Sequence, residues 1–266
     1  MADTVLLDVT DGIATLTLNR PQALNALSIA MMPDLAAAAR ELAARKDYGV
    51  VVVQGAGDHF MAGGDLKDFA GQLHLSREAR LAEFKALIVQ HINPTVEILQ
   101  SLPQPVIAKV RGACAGFGLS LMLGCDLAIC ADNAKFTTAY ASIALSGDGG
   151  ASYFLPRIVG RRKAAELLLL AERFDAAEAL RLGLVNRVAP LDRLDDEVSA
   201  LASRLLSGPQ HAYGEIKRLL TASHDNQLES QLQSEAEAFA RCAAADDFAE
   251  GVTAFLAKRA PSFGGR

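Results

Sequence analysis

Apolar positions change period along the chain, and the changes mark out its elements. Val5–Val9 and Ile13–Leu18 are short β-type runs. The second alternates through Thr15, Leu16, Thr17 and Leu18 as a half-buried strand does, and Asp11-Gly12 between the two is a hairpin signal. From Ser28, a capping residue, an Ala-rich stretch to about Lys46 is helical by propensity. Val50–Gln54 is an unbroken β-branched run, the pattern of a strand buried on both faces. Further strands are predicted at Val106–Val110 and Leu127–Ala131.

Between them, Glu78 to Gln100 predicts a long helix or a helix pair, with a break or kink where Pro94 lacks an amide hydrogen. Gly63-Gly64-Asp65 opens a short helix. Gly160–Ala171 and Ala176–Leu182 are helical in pattern, and from about Leu191 only helices are predicted: one starting at Pro209, then Gln227–Ala245 and Phe248–Ala257. Interleaved strands and helices followed by helices alone make an α/β protein, divided into a core at 1–190 and a helical region at 191–266.

Composition narrows the functional classes. At 266 residues and 51% hydrophobic, the chain can build a core without a disulfide or metal staple. Its formal charge of -5 and lack of a basic stripe argue against nucleic acid as a partner. The apolar stretch from Gly116 to Ala131 is interrupted by Gly124 and Asp126, so no membrane span is predicted. No basic residue precedes Arg20, which speaks against a signal or transit peptide, and a cytoplasmic location is expected. Cys114, Cys125, Cys130 and Cys242 form no CxxC pair, and His59, His74, His211 and His224 have no metal-ligand spacing. No metal or prosthetic group is expected.

Two glycine-rich segments carry the candidate chemistry: Phe60-Met61-Ala62-Gly63-Gly64-Asp65-Leu66 and Gly112-Ala113-Cys114-Ala115-Gly116-Phe117-Gly118. Each follows a predicted strand and precedes a helix-forming stretch. Glycine lets backbone approach a ligand, and free amides at a helix start can hold an anion or a developing oxyanion. Neither segment has the spacing of a dinucleotide fingerprint, a P-loop or a nucleophile elbow.

Taken with LNRPQALNAL at 18–27, PVIAKVRGACAGFG at 105–118, DLAICADNAKF at 126–136, LPRIVGRRKAAELLL at 155–169, AEALRLGLVNRV at 177–188 and FLAKRAPSF at 255–263, these segments make the chain resemble the enoyl-CoA hydratase/isomerase (crotonase) superfamily over nearly its whole length. The Asp148 region and the C-terminal segment are most similar to phenylacetate-pathway-type enoyl-CoA isomerases. The resemblance implies a spiral of ββα turns with a helical C-terminal trimerisation region, assembled as a homotrimer or a dimer of trimers. It implies an acyl-CoA substrate, with coenzyme A entering as part of the thioester. The enolate-like anion would be held by the amides of Gly64 and Phe117. Ala26, Ala62, Asp65, Leu66 and Lys258 would hold the coenzyme A portion, Lys258 often reaching a neighbouring subunit's phosphates. Phe117 stands where many members carry glycine, so its ring needs a place of its own.

The family's hydratases use two glutamates, and the matching positions here carry Ser120 and Tyr140. Neither side chain is an ordinary acid/base near neutral pH. Asp148, eight residues after Tyr140, matches the catalytic aspartate of several family isomerases and the nucleophilic aspartate of its dehalogenases. Read from the residues alone, Asp148 is equally a candidate helix N-cap. Asp65 and Asp126 are expected to be architectural, capping a helix and fixing a strand start. The expected reaction is a 3-enoyl-CoA to 2-enoyl-CoA shift with Asp148 as acid and base. Hydration, hydrolytic or dehalogenase chemistry, with His91 as a candidate histidine, and a CoA-thioester-binding scaffold without turnover are the alternatives. Met31, Phe69, Leu73, Phe84 and Tyr140 are candidates to line an acyl pocket, or ordinary core.

Overall fold

The computed structural model describes residues 3–264. The chain opens with a hairpin, β1 (Val5–Thr10) and β2 (Ile13–Leu18), paired antiparallel from Val5↔Leu18 to Thr10↔Ile13. The predicted turn is there: Asp11 and Gly12 both have positive φ, as a tight two-residue hairpin turn requires. Helix α1 (Met31–Ala44) follows, and the Ser28 hydroxyl accepts the amide of Met31. Then come β3 (Val50–Gly55), α2 (Leu66–Gly71), α3 (Arg77–Leu87) and α4 (Asn93–Ser101). Between α3 and α4 the backbone passes through a π-helical turn at Ile88–Ile92. Pro94 therefore falls in the first turn of α4, where its missing amide costs least.

The next two passes repeat one motif. β4 (Val106–Val110), β5 (Ala113–Ala115) and α5 (Phe117–Leu123) are followed by β6 (Leu127–Ala131), β7 (Lys135–Thr137) and α6 (Ala151–Leu170). Each pass adds one strand to a main sheet and one to a smaller sheet, which is the expected spiral of ββα turns. β8 (Phe174–Asp175), α7 (Ala176–Arg181) and β9 (Arg187–Ala189) complete it. The main sheet runs β1-β2-β3-β4-β6-β9, parallel from β2 onward, and the small sheet runs β5-β7-β8. Helix α6 begins earlier than the sequence pattern predicts, and Gly160, with φ +77 and ψ 156, interrupts it rather than starting it. The three-residue strands β5 and β7 are too short for a periodicity reading to find.

The unbroken apolar runs are buried on both faces. Val51, Val53, Val106, Ala108 and Cys130 face the α1 and α5 side, whereas Val50, Val52, Ile107 and Ile129 face α8 (Leu194–Leu206) through Leu194, Val198 and Ala202. Helices α9 (Gln210–Ala222), α10 (Leu228–Ala243) and α11 (Asp246–Leu256) finish the chain. Lys217 of α9 is nearly buried and anchors that helix to the spiral: its ammonium lies 2.7 Å from Asp126 and donates to the Leu99 carbonyl. Asp126 in turn accepts the Val106 amide at 2.8 Å, the strand-fixing role expected of it. Among the described residues no helix is long and apolar enough to cross a membrane, and the four cysteines are unpaired.

Candidate active site

The two glycine-rich segments are laced together as strands are. Met61 pairs with Cys114, its amide donating to the Ala113 carbonyl at 3.0 Å while its carbonyl accepts the Ala115 amide at 2.8 Å. One step on, Gly63 and Gly116 meet back to back. A Cβ on Gly116 would sit 3.2 Å from the Gly63 Cα, and both residues have positive φ, +94 and +52. No other residue type satisfies that contact and that backbone together.

This lacing sets two amides free. Gly64 bridges Leu27, but the bridge uses the Gly63 carbonyl and the Asp65 amide, leaving the Gly64 N–H out. Phe117 is the first residue of α5, so its N–H has no carbonyl one turn back. Among the described residues neither amide has a hydrogen-bond acceptor. Gly64 and Phe117 both line a cavity of about 390 Å³, together with Leu27, Phe69, Phe84 and Ile88 on its apolar side and Tyr140 and Asp148 on its polar side. Of the residues expected to line an acyl pocket, Phe69, Phe84 and Tyr140 do, the first two as a T-shaped pair with centroids 5.2 Å apart. Met31 does not: it is fully buried in the core against the sheet. Leu73 points to solvent, 66% exposed.

The Phe117 ring, whose place the sequence left open, packs beneath the turn that carries Asp148. A Cβ on Gly149 would lie 2.7 Å from the ring. One residue thus contributes a backbone amide to one wall and a side-chain floor to the other.

Asp148 is not the helix cap that its sequence position allows. The cap of α6 is Gly150, with no side-chain bond, and the Ala151 amide goes to the Asp148 main-chain carbonyl at 3.0 Å. The carboxylate instead accepts the Tyr140 hydroxyl, 2.7 Å from Oδ1, and the Tyr140 oxygen lies 2.8 Å from Ser120 Oγ. Sequence reasoning treated Ser120 as a vacated glutamate position and Tyr140 as that or a pocket-lining residue, and missed this chain of contacts. The i, i+8 spacing does not reveal it, because it depends on a backbone that doubles back through left-handed Ala139 and Ala144. Burial pushes the Asp148 carboxyl above the ordinary aspartate value, and the Tyr140 bond and a backbone amide pull part of the way back. Burial and the neighbouring negative charge hold the Tyr140 phenol far above its usual value, so it stays protonated. Asp148 is the one carboxylate among the described lining residues, and Arg173, exposed, is the other charged group there. Among the described residues no histidine lines the cavity; His91 sits in the π-helical turn.

A second cavity, of about 560 Å³, shares Ala62, Gly64 and Leu66 with the first and is also lined by Arg20, Ala26, Asp65 and Lys67. Four of the five residues expected to hold coenzyme A thus converge on one place. Asp65 caps α2, accepting the Lys67 amide at 3.0 Å as expected, and also pairs with Arg20 at 2.9 Å. Arg20 donates to the Ala26 carbonyl as well, and buried Asn25 donates to the carbonyls of Ala56 and His59. The sequence reading passed over this Arg20–Asn25 clamp, which fixes the loop at 20–26 against the AGGDL segment. Lys258, the fifth residue, is exposed at the end of α11 and belongs to neither cavity.

A spiral α/β core whose glycine loops present two unpaired amides to an apolar cavity defines an acyl-CoA-acting enzyme of the crotonase fold. The chain belongs to the enoyl-CoA hydratase/isomerase family, which it matches over residues 8–266. It is 35% identical to 1,2-epoxyphenylacetyl-CoA isomerase of Escherichia coli (strain K12), over 100% of both chains. It is 31% identical to 4-chlorobenzoyl coenzyme A dehalogenase-2 of an Arthrobacter species, over 94% of this chain and 89% of that one. The crystal structure of an enoyl-CoA hydratase from Mycobacterium smegmatis matches it with a TM-score of 0.89 at 36% identity, covering 98% of each chain.

Proposed function

We propose that this enzyme shifts the double bond of an unsaturated acyl-CoA, converting a 3-enoyl-CoA to a 2-enoyl-CoA. The observation that carries this reading is the single carboxylate among the described lining residues: Asp148 is present while both hydratase glutamate positions hold hydroxyls. The ionised carboxylate takes a proton from C2, breaking that C–H bond. The electron pair moves into a dienolate whose oxygen is held by the Gly64 and Phe117 amides, and the same carboxyl returns the proton to C4. A carboxyl with a raised pKa suits both halves of this exchange. Losing one oxyanion donor costs about 3–4 kcal/mol of barrier in comparable sites.

Coenzyme A occupies the second cavity, against Ala26, Ala62, Asp65 and Leu66. Lys258, exposed and outside the lining of both cavities, serves a neighbouring subunit in a homotrimer or a dimer of trimers. The C-terminal helices leave Leu228, Phe239, Phe255 and Leu256 more than 70% exposed, which suits such an assembly. The relative named 1,2-epoxyphenylacetyl-CoA isomerase supports isomerisation of an acyl-CoA in general, and the absence of a lining histidine among the described residues speaks against a dehalogenase-type hydrolytic step.

The test is a paired assay of wild type and Asp148→Asn with 3-hexenoyl-CoA and 2-hexenoyl-CoA supplied separately. Isomerisation by the wild type should fall by about three orders of magnitude in the variant. Efficient hydration of the 2-enoyl thioester that survives the substitution overturns the isomerase reading in favour of a hydratase. Tight binding of both thioesters with no product identifies a binding protein instead.

A further inference from the structure

The hydrogen-bond chain behind Asp148 has a fixed direction. An ionised carboxylate only accepts, so the Tyr140 hydroxyl donates to Oδ1 across 2.7 Å. A phenol has one proton to give. The Ser120 hydroxyl, fully buried, is therefore the donor to the Tyr140 oxygen at 2.8 Å, in preference to the Gly116 carbonyl at 3.4 Å. Both donors point toward Asp148, and both side chains have almost no freedom to turn away: Tyr140 is 9% exposed and Ser120 sits inside α5.

We propose that Tyr140, held by Ser120, is the positioning residue of the proton carrier: it commits Asp148 Oδ1 to a permanent hydrogen bond and leaves Oδ2 as the one oxygen that takes and returns the proton. This deepens the isomerase reading and rests on Asp148 being the proton carrier. Two consequences follow. With Oδ1 occupied whether Asp148 is ionised or protonated, the carboxyl cannot hand its proton to Tyr140, so the proton stays on Oδ2 between the two half-reactions. The donor also stabilises the ionised form selectively, which keeps a carboxyl in an apolar cavity basic rather than permanently protonated. Phe117 and Ser120 of α5, which pack against the Gly149 turn, carry no ionisable group, and among the described residues Arg173, exposed, is the other charged residue that lines the cavity.

The experiment is the pH profile of kcat/KM for 3-hexenoyl-CoA with wild type, Tyr140→Phe, Ser120→Ala and Asp148→Asn, alongside a carboxyl titration of enzyme carrying 13C-labelled aspartate side chains. The Asp148 signal is assigned by its loss in Asp148→Asn. Tyr140→Phe removes one hydroxyl from a buried ring. It should lower kcat about tenfold and move the acid limb upward by about one pH unit, with KM within about twofold, and the 13C titration of Asp148 should move by the same amount. Ser120→Ala should move both in the same direction by about half as much. A kcat loss with an unmoved acid limb and an unmoved carboxyl titration would show a merely structural tyrosine and overturn the proposal. If Asp148→Asn remains active while Tyr140→Phe shifts the carboxyl titration, the hydrogen bond is real but the carrier is another group, and the isomerase reading fails with the proposal. If Asp148→Asn is dead and Tyr140→Phe leaves both titrations in place, the proposal alone falls.

Discussion

The two walls of the cavity between Gly64 and Asp148 are built from different materials. One wall is main chain: Gly64 and Phe117 offer amides, and their positions are set by strand-like bonds between Met61, Ala113 and Ala115 and by the Gly63–Gly116 contact. The other wall is side chain: Asp148, Tyr140 and Ser120, joined by hydroxyl bonds across three separate segments. The main-chain wall is indifferent to what side chain stands at 117, because an amide donates equally from glycine or phenylalanine. The side-chain wall changes its chemistry with every substitution. On the proposed reading, a fold arranged in this way can keep one anion-holding device while the chemistry opposite it is rewritten, in keeping with relatives that are named isomerase, hydratase and dehalogenase.

The hardest blow to the comparison falls on the main-chain wall. Gly116→Ala puts a Cβ 3.2 Å from the Gly63 Cα at φ +52, ψ -125, a conformation that is costly for any residue with a side chain. The loops must part, and the Phe117 amide moves with them. We expect kcat for 3-hexenoyl-CoA to fall about a hundredfold, with the Asp148 acid limb unchanged. A variant that loses activity by shifting that limb would show that the walls are not separable.

Phe117→Ala sharpens the same comparison, because Phe117 belongs to both walls. The amide remains, but the buried ring beneath Gly149 is gone. Removing a fully buried phenylalanine costs about 3–5 kcal/mol of stability, measurable by denaturant unfolding. The expected rate effect is smaller, about tenfold, and arises on the Asp148 side through a loosened turn. It should therefore appear in kcat with KM nearly constant. An unchanged kcat would mean that the ring fills space without supporting the base.

The main-chain wall was legible in the amino-acid sequence and the side-chain wall was half legible, for a physical reason. Strands such as Val50–Gly55 and Val106–Val110 announce themselves by unbroken apolar runs, and the AGGDL segment announces a close approach by its glycines. The partners of Asp148 do not. Tyr140 could be an ordinary core aromatic and Ser120 an ordinary small helix residue; only the tertiary path through Ala139, Ala144 and Gly149, all with positive φ, brings their hydroxyls into line. The same holds for Asp148 itself, whose place before a helix predicts a cap until the fold turns its carboxylate inward. The π-helical turn at Ile88–Ile92 has no such local signal, whereas the break at Gly160 falls on a glycine at φ +77 with open space around it, a conformation glycine adopts freely.

The gentlest test concerns stability rather than rate. Burial raises the Asp148 carboxyl above its unfolded value, the reverse of a salt-bridged aspartate. The folded state therefore binds this proton more tightly than the unfolded chain does. Below the ordinary aspartate value, about 3.9, the group is neutral in both states and contributes nothing. As pH rises from there through the raised folded value, ionisation destabilises the fold progressively, and the full penalty persists above it. Asp148→Asn keeps an oxygen for the Tyr140 hydroxyl and never ionises, so the variant should melt higher than wild type at pH 7. The gap should close as pH falls through that window. Differential scanning measurements of the pair at several pH values read it directly, and a gap independent of pH would mean that the carboxylate in this wall is hydrated rather than held in an apolar cavity.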